Sequence, residues 1–261
     1  MRVGATQLFF SDRSVADSLA FAKETGYESL ELTVTAEGDL NLGTTDAQLR
    51  EMAAEAERLG MAIPSLVPAA CQGLASADPE ERARAVEALR RSIHLAEGLG
   101  ADTILVHPGQ LTPQVRYDVM YRNVQAAFRE VAPEAERAKV SVGLENVWNK
   151  FLLSPLEAKR FVDELGSEYL GIYFDVGNFV PWAFPEHWIE ILGPAVKKVH
   201  FKDFRRRDHQ FVPLLEGDVD WPAVMGALRA VGYDSDVIQE VAGDEAGMRS
   251  TAAAMRRILA M

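Results

Sequence analysis

Short apolar, β-branched runs alternate along the chain with longer stretches whose apolar positions recur at helical spacing. The runs predict strands at Arg2–Thr6, Glu28–Thr33, Ala62–Val67, Asp102–His107, Val140–Asn146, Tyr169–Asp175, Val196–Lys202 and Asp236–Val241. The stretches between them predict helices at Ser14–Thr25, Asp46–Leu59, Pro79–Leu99, Pro113–Ala138, Pro155–Leu165, Pro185–Leu192, Trp221–Val231 and Asp244–Leu259. Local chemistry agrees with these limits. Gly26, Gly60 and Gly100 follow helix ends, where a left-handed residue is wanted. Asp78 precedes Pro79, which loses nothing in a first helical turn. Pro133 lies inside the fourth helix and is expected to kink or split it.

A strand followed by a helix, repeated eight times, implies parallel strands joined by crossover helices. Within 261 residues this fits a closed (β/α)₈ TIM barrel, expected as a single α/β domain over residues 1–261. An open doubly wound sheet is the alternative. Against it, no GxGxxG turn follows the first strand, and no Walker A sequence occurs.

Composition narrows the function classes. Lys and Arg total 27 against 39 Asp and Glu, a formal net charge of −12, so a basic footprint for nucleic acid is missing. A single cysteine, Cys71, excludes an internal disulfide and a Cys-based zinc site, and reads best as a small buried residue. The N-terminal apolar stretches are too short for a secretory signal, and no run approaches a membrane span. A soluble cytoplasmic protein without membrane or nucleic-acid partners is the expectation.

In such barrels chemistry sits at the C-terminal ends of the strands. There the sequence places Glu31, His107, Glu145, Asp175, His200 and Glu240 after apolar runs, with Asn178, Lys202 and Asp203 close behind. Glu145, Asp175, His200 and Glu240 fall on four consecutive strands. Three carboxylates in one barrel mouth repel one another, and a divalent cation would relieve that repulsion. Carboxylate oxygens with one imidazole suit Mn²⁺, Mg²⁺ or Co²⁺, with Zn²⁺ also admissible. The plainer alternative pairs them with neighbouring Lys and Arg. His107 and Glu31 are candidate substrate contacts, although either could be a structural polar residue. Arg205, Arg206 and Arg207 form a basic cluster after the seventh strand; it is either a solvated loop or a hold for a substrate oxygen or phosphate. His209 reads as a surface residue. Trp148, Phe179, Trp182 and Phe184 lie in loops where aromatics can wall a sugar site or simply pack.

Six segments, LVHPG, GLENVWN, IYFDVGN, KVHFKDF, LLEGDVDW and IQEV, resemble the xylose-isomerase-like superfamily of sugar and sugar-phosphate isomerases and epimerases. Their order and strand-end placement extend the resemblance over essentially the whole chain. In its ketose 3-epimerases one metal ion is held by Glu, Asp, His and Glu after strands five to eight. The resemblance therefore implies a metal on Glu145, Asp175, His200 and Glu240, with Glu145 and Glu240 as the acid/base pair. Proton removal beside a ketone then gives an enediolate. Return to the opposite face epimerises; return to the neighbouring carbon isomerises. Asn178 stands where free-sugar epimerases often have His, and the Asp-x-Gly-Asn and His-x-Lys-Asp forms look more like the sugar-phosphate branch. Arg206 is the nearest match to the Arg that follows the strand-seven His, with Arg205 the alternative. The resemblance thus implies a small sugar or sugar phosphate as partner, with His107, Asn178, Lys202, Arg206, Glu31 and Trp148 as substrate contacts. It also admits a homo-oligomer, because members are often dimers or tetramers. Two other readings keep the scaffold: an inosose-type keto-polyol dehydratase, or a catalytically inactive sugar-binding paralogue. The superfamily's DNA-repair branch, with a trinuclear His-rich site, fits poorly with five His and this net charge.

Overall fold

A computed structural model of the protein describes residues 1–10 and 12–261. Its parallel strands are β1 (Val3–Thr6), β2 (Ser29–Val34), β3 (Ser65–Pro68), β4 (Thr103–Val106), β5 (Ser141–Glu145), β6 (Leu170–Asp175), β7 (Val196–Phe201) and β10 (Val237–Gln239). They close into a barrel in the order β1-β10-β7-β6-β5-β4-β3-β2. The helices are α1 (Val15–Thr25), α2 (Asp46–Leu59), α3 (Pro79–Leu99), α4 (Tyr117–Ala138), α5 (Pro155–Asp163), α6 (Pro185–Leu192), α7 (Trp221–Ala230) and α8 (Glu245–Leu259). The expected (β/α)₈ TIM barrel is therefore the fold. No helix among the described residues is long and apolar enough to cross a membrane.

Helix limits follow local chemistry. Thr45 and Gln48 cap α2 reciprocally, and Asp78 caps α3 ahead of Pro79. Pro133 does not split α4, which runs unbroken to Ala138. The proline lies on the exposed side, where water can satisfy the carbonyl that its missing N–H leaves free. The helix expected from Pro113 starts about one helical turn later, at Tyr117. The segment ahead of Tyr117 instead folds over the barrel end, where Leu111 N–H donates to Asn149 O. The third strand begins at Ser65 rather than Ala62, because Pro64 has no N–H for the ladder and Ala62 makes only an isolated bridge to Ser29.

Strand alternation sorts side chains into two cores. Leu144, Phe174, Val199 and Phe201 face outward into the large apolar layer between barrel and helices. There Phe174 stacks on Trp188 and Phe201 packs on Trp221. Their neighbours point inward. Leu105, Tyr173 and Ile238 form a small apolar plug inside the barrel. Glu145 is level with Tyr173, and Asp175 is level with His200, in the strand register. The same alternation that buries the outer residues thus delivers polar groups to one interior.

An antiparallel hairpin that the sequence pattern does not disclose follows β7. β8 (Asp203–Arg205) pairs with β9 (Gln210–Val212). Its anchor is Asp203, which is fully buried and accepts from Phe204 N, Leu215 N, Val219 N and the Trp221 indole. A Cβ on Gly217 would come within 2.0 Å of Asp203 Oδ1, so the turn needs glycine there.

Candidate functional site

Glu145 ends β5, Asp175 ends β6, His200 lies near the end of β7, and Glu240 follows β10. Glu240 is outside the regular strand, yet its N–H still donates to Phe201 O and keeps it beside β7. Each of the four side chains offers an atom, and these atoms all lie within 4.8 Å of one another. Asp175 and His200 are wholly buried. His200 Nδ1 is 3.6 Å from Glu240 Oε2 and 4.0 Å from Asp175 Oδ2.

Asp175 Oδ2 and His200 Nδ1 are buried and have no hydrogen-bond partner among the described residues. Buried polar atoms are rarely left in that condition, so two in one cluster ask for a further group between them. The electrostatics say the same. Burial, then the charge of Glu240, pushes the Glu145 carboxyl up to about 8. Burial, which outweighs the opposing charge of Lys202 and is reinforced by Glu240, pushes Asp175 up to about 7. Glu240 goes the other way: burial opposes its charge, but the nearby positive charge of His200, with that of Lys202, holds it well below the usual carboxylate range. Burial also opposes charge on His200, yet Glu31 and Glu240 raise it well above an ordinary imidazole. The cluster is therefore short of positive charge and draws on protons to supply it. Three carboxylates and one imidazole are a donor set that could hold a divalent cation.

Around the cluster, Lys202 Nζ donates to Glu240 Oε2 at 2.7 Å and lies 3.9 Å from Asp175 Oδ2. Asn178 Nδ2 reaches Asn146 O at 3.0 Å and Glu145 Oε1 at 3.5 Å, and its N–H donates to Asp175 Oδ1. Trp148 Nε1 donates to Asn178 O, and its ring meets Phe211 at 5.2 Å. His209, expected at the surface, is exposed but packs its ring on Trp148. His107 is partly buried, accepts from Gly109 N, and is held neutral by burial. A cavity of about 440 Å³ opens beside Lys202 and Glu240, walled by Phe9, Phe211, Val212, Pro213, Val241 and Ala242.

Two expected substrate contacts are engaged elsewhere. Glu31 is fully buried beneath the cluster and bonded to His200, Ser65 and Tyr173. Arg206 Nε donates to Val180 O at 2.8 Å and Nη2 to Ala183 O at 3.1 Å, tying the loop after β7 to the loop after β6. Arg205 is paired with Asp208, and Arg207 is exposed. None of the three Arg lines the cavity at Glu240. Asn146, Tyr173 and Ser65 are site residues outside the expected set. Asn146 accepts from Asp175 N and donates to Asp175 O, locking the ends of β5 and β6 together. Its place directly after Glu145 was a readable signal. So was the position of Tyr173, two residues before Asp175 and hence on the same face.

A closed parallel barrel with a carboxylate–imidazole cluster at its C-terminal mouth defines the class. The xylose isomerase-like TIM barrel family matches residues 19–258, and the chain belongs to it. Similar proteins include the L-ribulose-5-phosphate 3-epimerase UlaE of Salmonella paratyphi C, 27% identical over 226 residues, which cover 83% of this chain and 78% of that one. Among solved structures, a D-tagatose 3-epimerase-like protein superposes with a TM-score of 0.85 at 22% identity, covering 100% of this chain and 97% of the other. The IOLI protein, solved with a bound zinc atom, superposes with a TM-score of 0.84 at 14% identity, covering 100% and 98%.

Proposed function

We propose that this protein is a divalent-metal-dependent 3-epimerase of a ketose or ketose phosphate. The observation that carries this reading is the convergence of Glu145, Asp175, His200 and Glu240 within 4.8 Å, with two of their atoms buried and unpartnered. The relatives' names support the substrate class, since they include a ribulose-5-phosphate 3-epimerase and a tagatose 3-epimerase-like protein.

Glu145, Asp175, His200 and Glu240 would hold the ion, through Oε, Oδ2, Nδ1 and Oε atoms respectively. When bound, it would supply Lewis-acid stabilisation of the charge that develops as a proton leaves the carbon beside a ketone. The protein's own groups do the rest. Glu240, kept ionised by Lys202 and His200, is suited to accept that proton on a carboxylate oxygen. Glu145, whose carboxylate converges on the same cluster, is suited to return one to the other face. For the opposite epimer the two roles exchange. Asn178 steadies Glu145, Lys202 steadies Glu240, and neutral His107 is available to bind a hydroxyl. Trp148 and Phe211 would wall the mouth and exclude water.

The test is incubation with Mn²⁺ in deuterated water across a panel of ketoses and ketose phosphates, followed by product analysis. Deuterium at C3 of both the recovered substrate and its C3 epimer is the expected result. An aldose product would indicate isomerisation instead, and loss of water would indicate a dehydratase. No exchange with any member of the panel would count against an enzyme of this kind.

A further inference from the structure

Beneath the candidate centre, inside the barrel, four strands are joined by one buried polar network. Glu31 on β2 is at its middle. Glu31 Oε1 lies 3.0 Å from His200 Nε2 on β7. Glu31 Oε2 accepts from Ser65 Oγ on β3 at 2.7 Å and from the Tyr173 hydroxyl on β6. The Tyr173 ring meets the His200 ring edge-on, with centroids 4.6 Å apart. Glu31, Ser65, Tyr173 and His200 are all fully buried.

A carboxylate that receives three donors offers only lone pairs. The nitrogen of His200 facing it must therefore carry a hydrogen. Once a cation takes the place of the second proton that the metal-free cluster favours on His200, the other nitrogen, Nδ1, is the one with a free lone pair. That atom is the buried, unpartnered one among Asp175 and Glu240. The geometry points to Glu31 as a positioning residue for the candidate centre: it fixes His200 with Nε2–H turned down and Nδ1 presented to a cation, and Tyr173 and Ser65 hold Glu31 in place. This rests on the metal reading above and moves Glu31 from substrate contact to support. Partners of this kind also raise the donor strength of an imidazole, and their loss typically weakens metal binding about 10–100-fold.

The test compares Mn²⁺ affinity, measured by calorimetry with the metal alone, for wild type, Glu31→Gln, Tyr173→Phe and Lys198→Met. Lys198 is a control for mere stability, because it is fully buried at the opposite barrel end and pairs with Asp102 and Ser235. Glu31→Gln should bind Mn²⁺ about 10–100-fold more weakly. Tyr173→Phe should lose affinity in the same direction but less. Lys198→Met should melt earlier and bind Mn²⁺ as wild type does. Nitrogen-15 NMR of the Zn²⁺-loaded wild type should show His200 protonated on Nε2. If Glu31→Gln fails to fold, Tyr173→Phe and the NMR decide. Equal affinity in wild type and the folded variants, or an unprotonated Nε2, would overturn the inference while leaving the metal reading intact. A wild type that binds no Mn²⁺ would overturn both.

Discussion

Single side chains in this site do work that their immediate neighbours make possible. Glu145 and Glu240 are identical in type, yet in the metal-free cluster burial and the charge of Glu240 raise the pKa of one while His200 and Lys202 lower that of the other. Glutamine preserves shape but cannot act as a base. Glu145→Gln and Glu240→Gln should therefore each abolish deuterium uptake at the substrate carbon, measured by NMR or mass spectrometry. Full uptake in either variant would remove that residue from the acid/base pair. Arg206 is a different case. Its guanidinium is already satisfied by the carbonyls of Val180 and Ala183. We expect Arg206→Ala to change KM for a ketose and for its phosphate by the same small factor. A loss of about tenfold or more for the phosphate alone, which is about 1.4 kcal/mol, would instead place a phosphate at this Arg.

At the scale of elements, the β8–β9 hairpin shows how a short segment is held where its residues matter. It follows directly on Lys202 and carries Phe211, whose ring lies 4.4 Å from the Lys202 ammonium. It hangs on Asp203, whose carboxylate takes four donors, three of them backbone N–H groups. Asp203→Ala strands these donors, and each buried unsatisfied group costs about 1–3 kcal/mol. A loss of several kcal/mol by urea denaturation is expected, together with a raised KM as Lys202 and Phe211 lose their support. Wild-type stability in that variant would show that the loop finds other acceptors. This hairpin also marks where sequence pattern stops being informative. Its strands are three residues each, too short for alternation to register, and their pairing depends on a carboxylate that bonds across to residues 215–221.

The whole molecule couples the site to stability. Glu145 and Asp175 have pKa values raised to about 8 and about 7, so the folded state keeps protons that the unfolded chain releases near its ordinary carboxylate value. Their contribution to stability is complete below that ordinary value and is lost as pH rises through 7 and 8. Glu240 runs oppositely: its contribution is lost only on acidification below the usual carboxylate range. Under the metal reading proposed above, a divalent cation would replace the missing protons. Its stabilising effect should therefore be larger at about pH 8 than at about pH 5.5. At about a hundredfold excess over Kd it should add roughly 2.7 kcal/mol, or about 5–10 °C in Tm. Chelator-treated protein scanned with and without Mn²⁺ measures this, and an equal shift at both pH values would contradict the charge accounting. Cys71 reports on the same global stability. It is buried, and desolvation pushes its thiol up to about 12. It should react with a disulfide reagent only when the barrel opens, so native protein should label no faster than it unfolds.

Much of this was legible along the chain. Period-two and helical spacings, glycines after helix ends and prolines at helix starts place the eight strand–helix units to within a few residues. Once the barrel follows from that order, the residues after each apolar run are candidates by position alone. Glu145, Asp175, His200 and Glu240 do converge. That much is local, because alternation in a strand and the common direction of parallel strands send such residues to one mouth. What only the tertiary structure decided depends on contacts between residues far apart in sequence. Glu31 and His200 are 169 positions apart, and nothing near either one discloses their hydrogen bond. Arg206 turns to Val180 and Ala183 rather than to the cavity because the loop after β6 presents carbonyls there. A strand-end position says that a side chain faces the mouth region; whether it meets solvent or lies beneath its neighbours is set by the depth of the layer it occupies and by what the other strands bring to that layer.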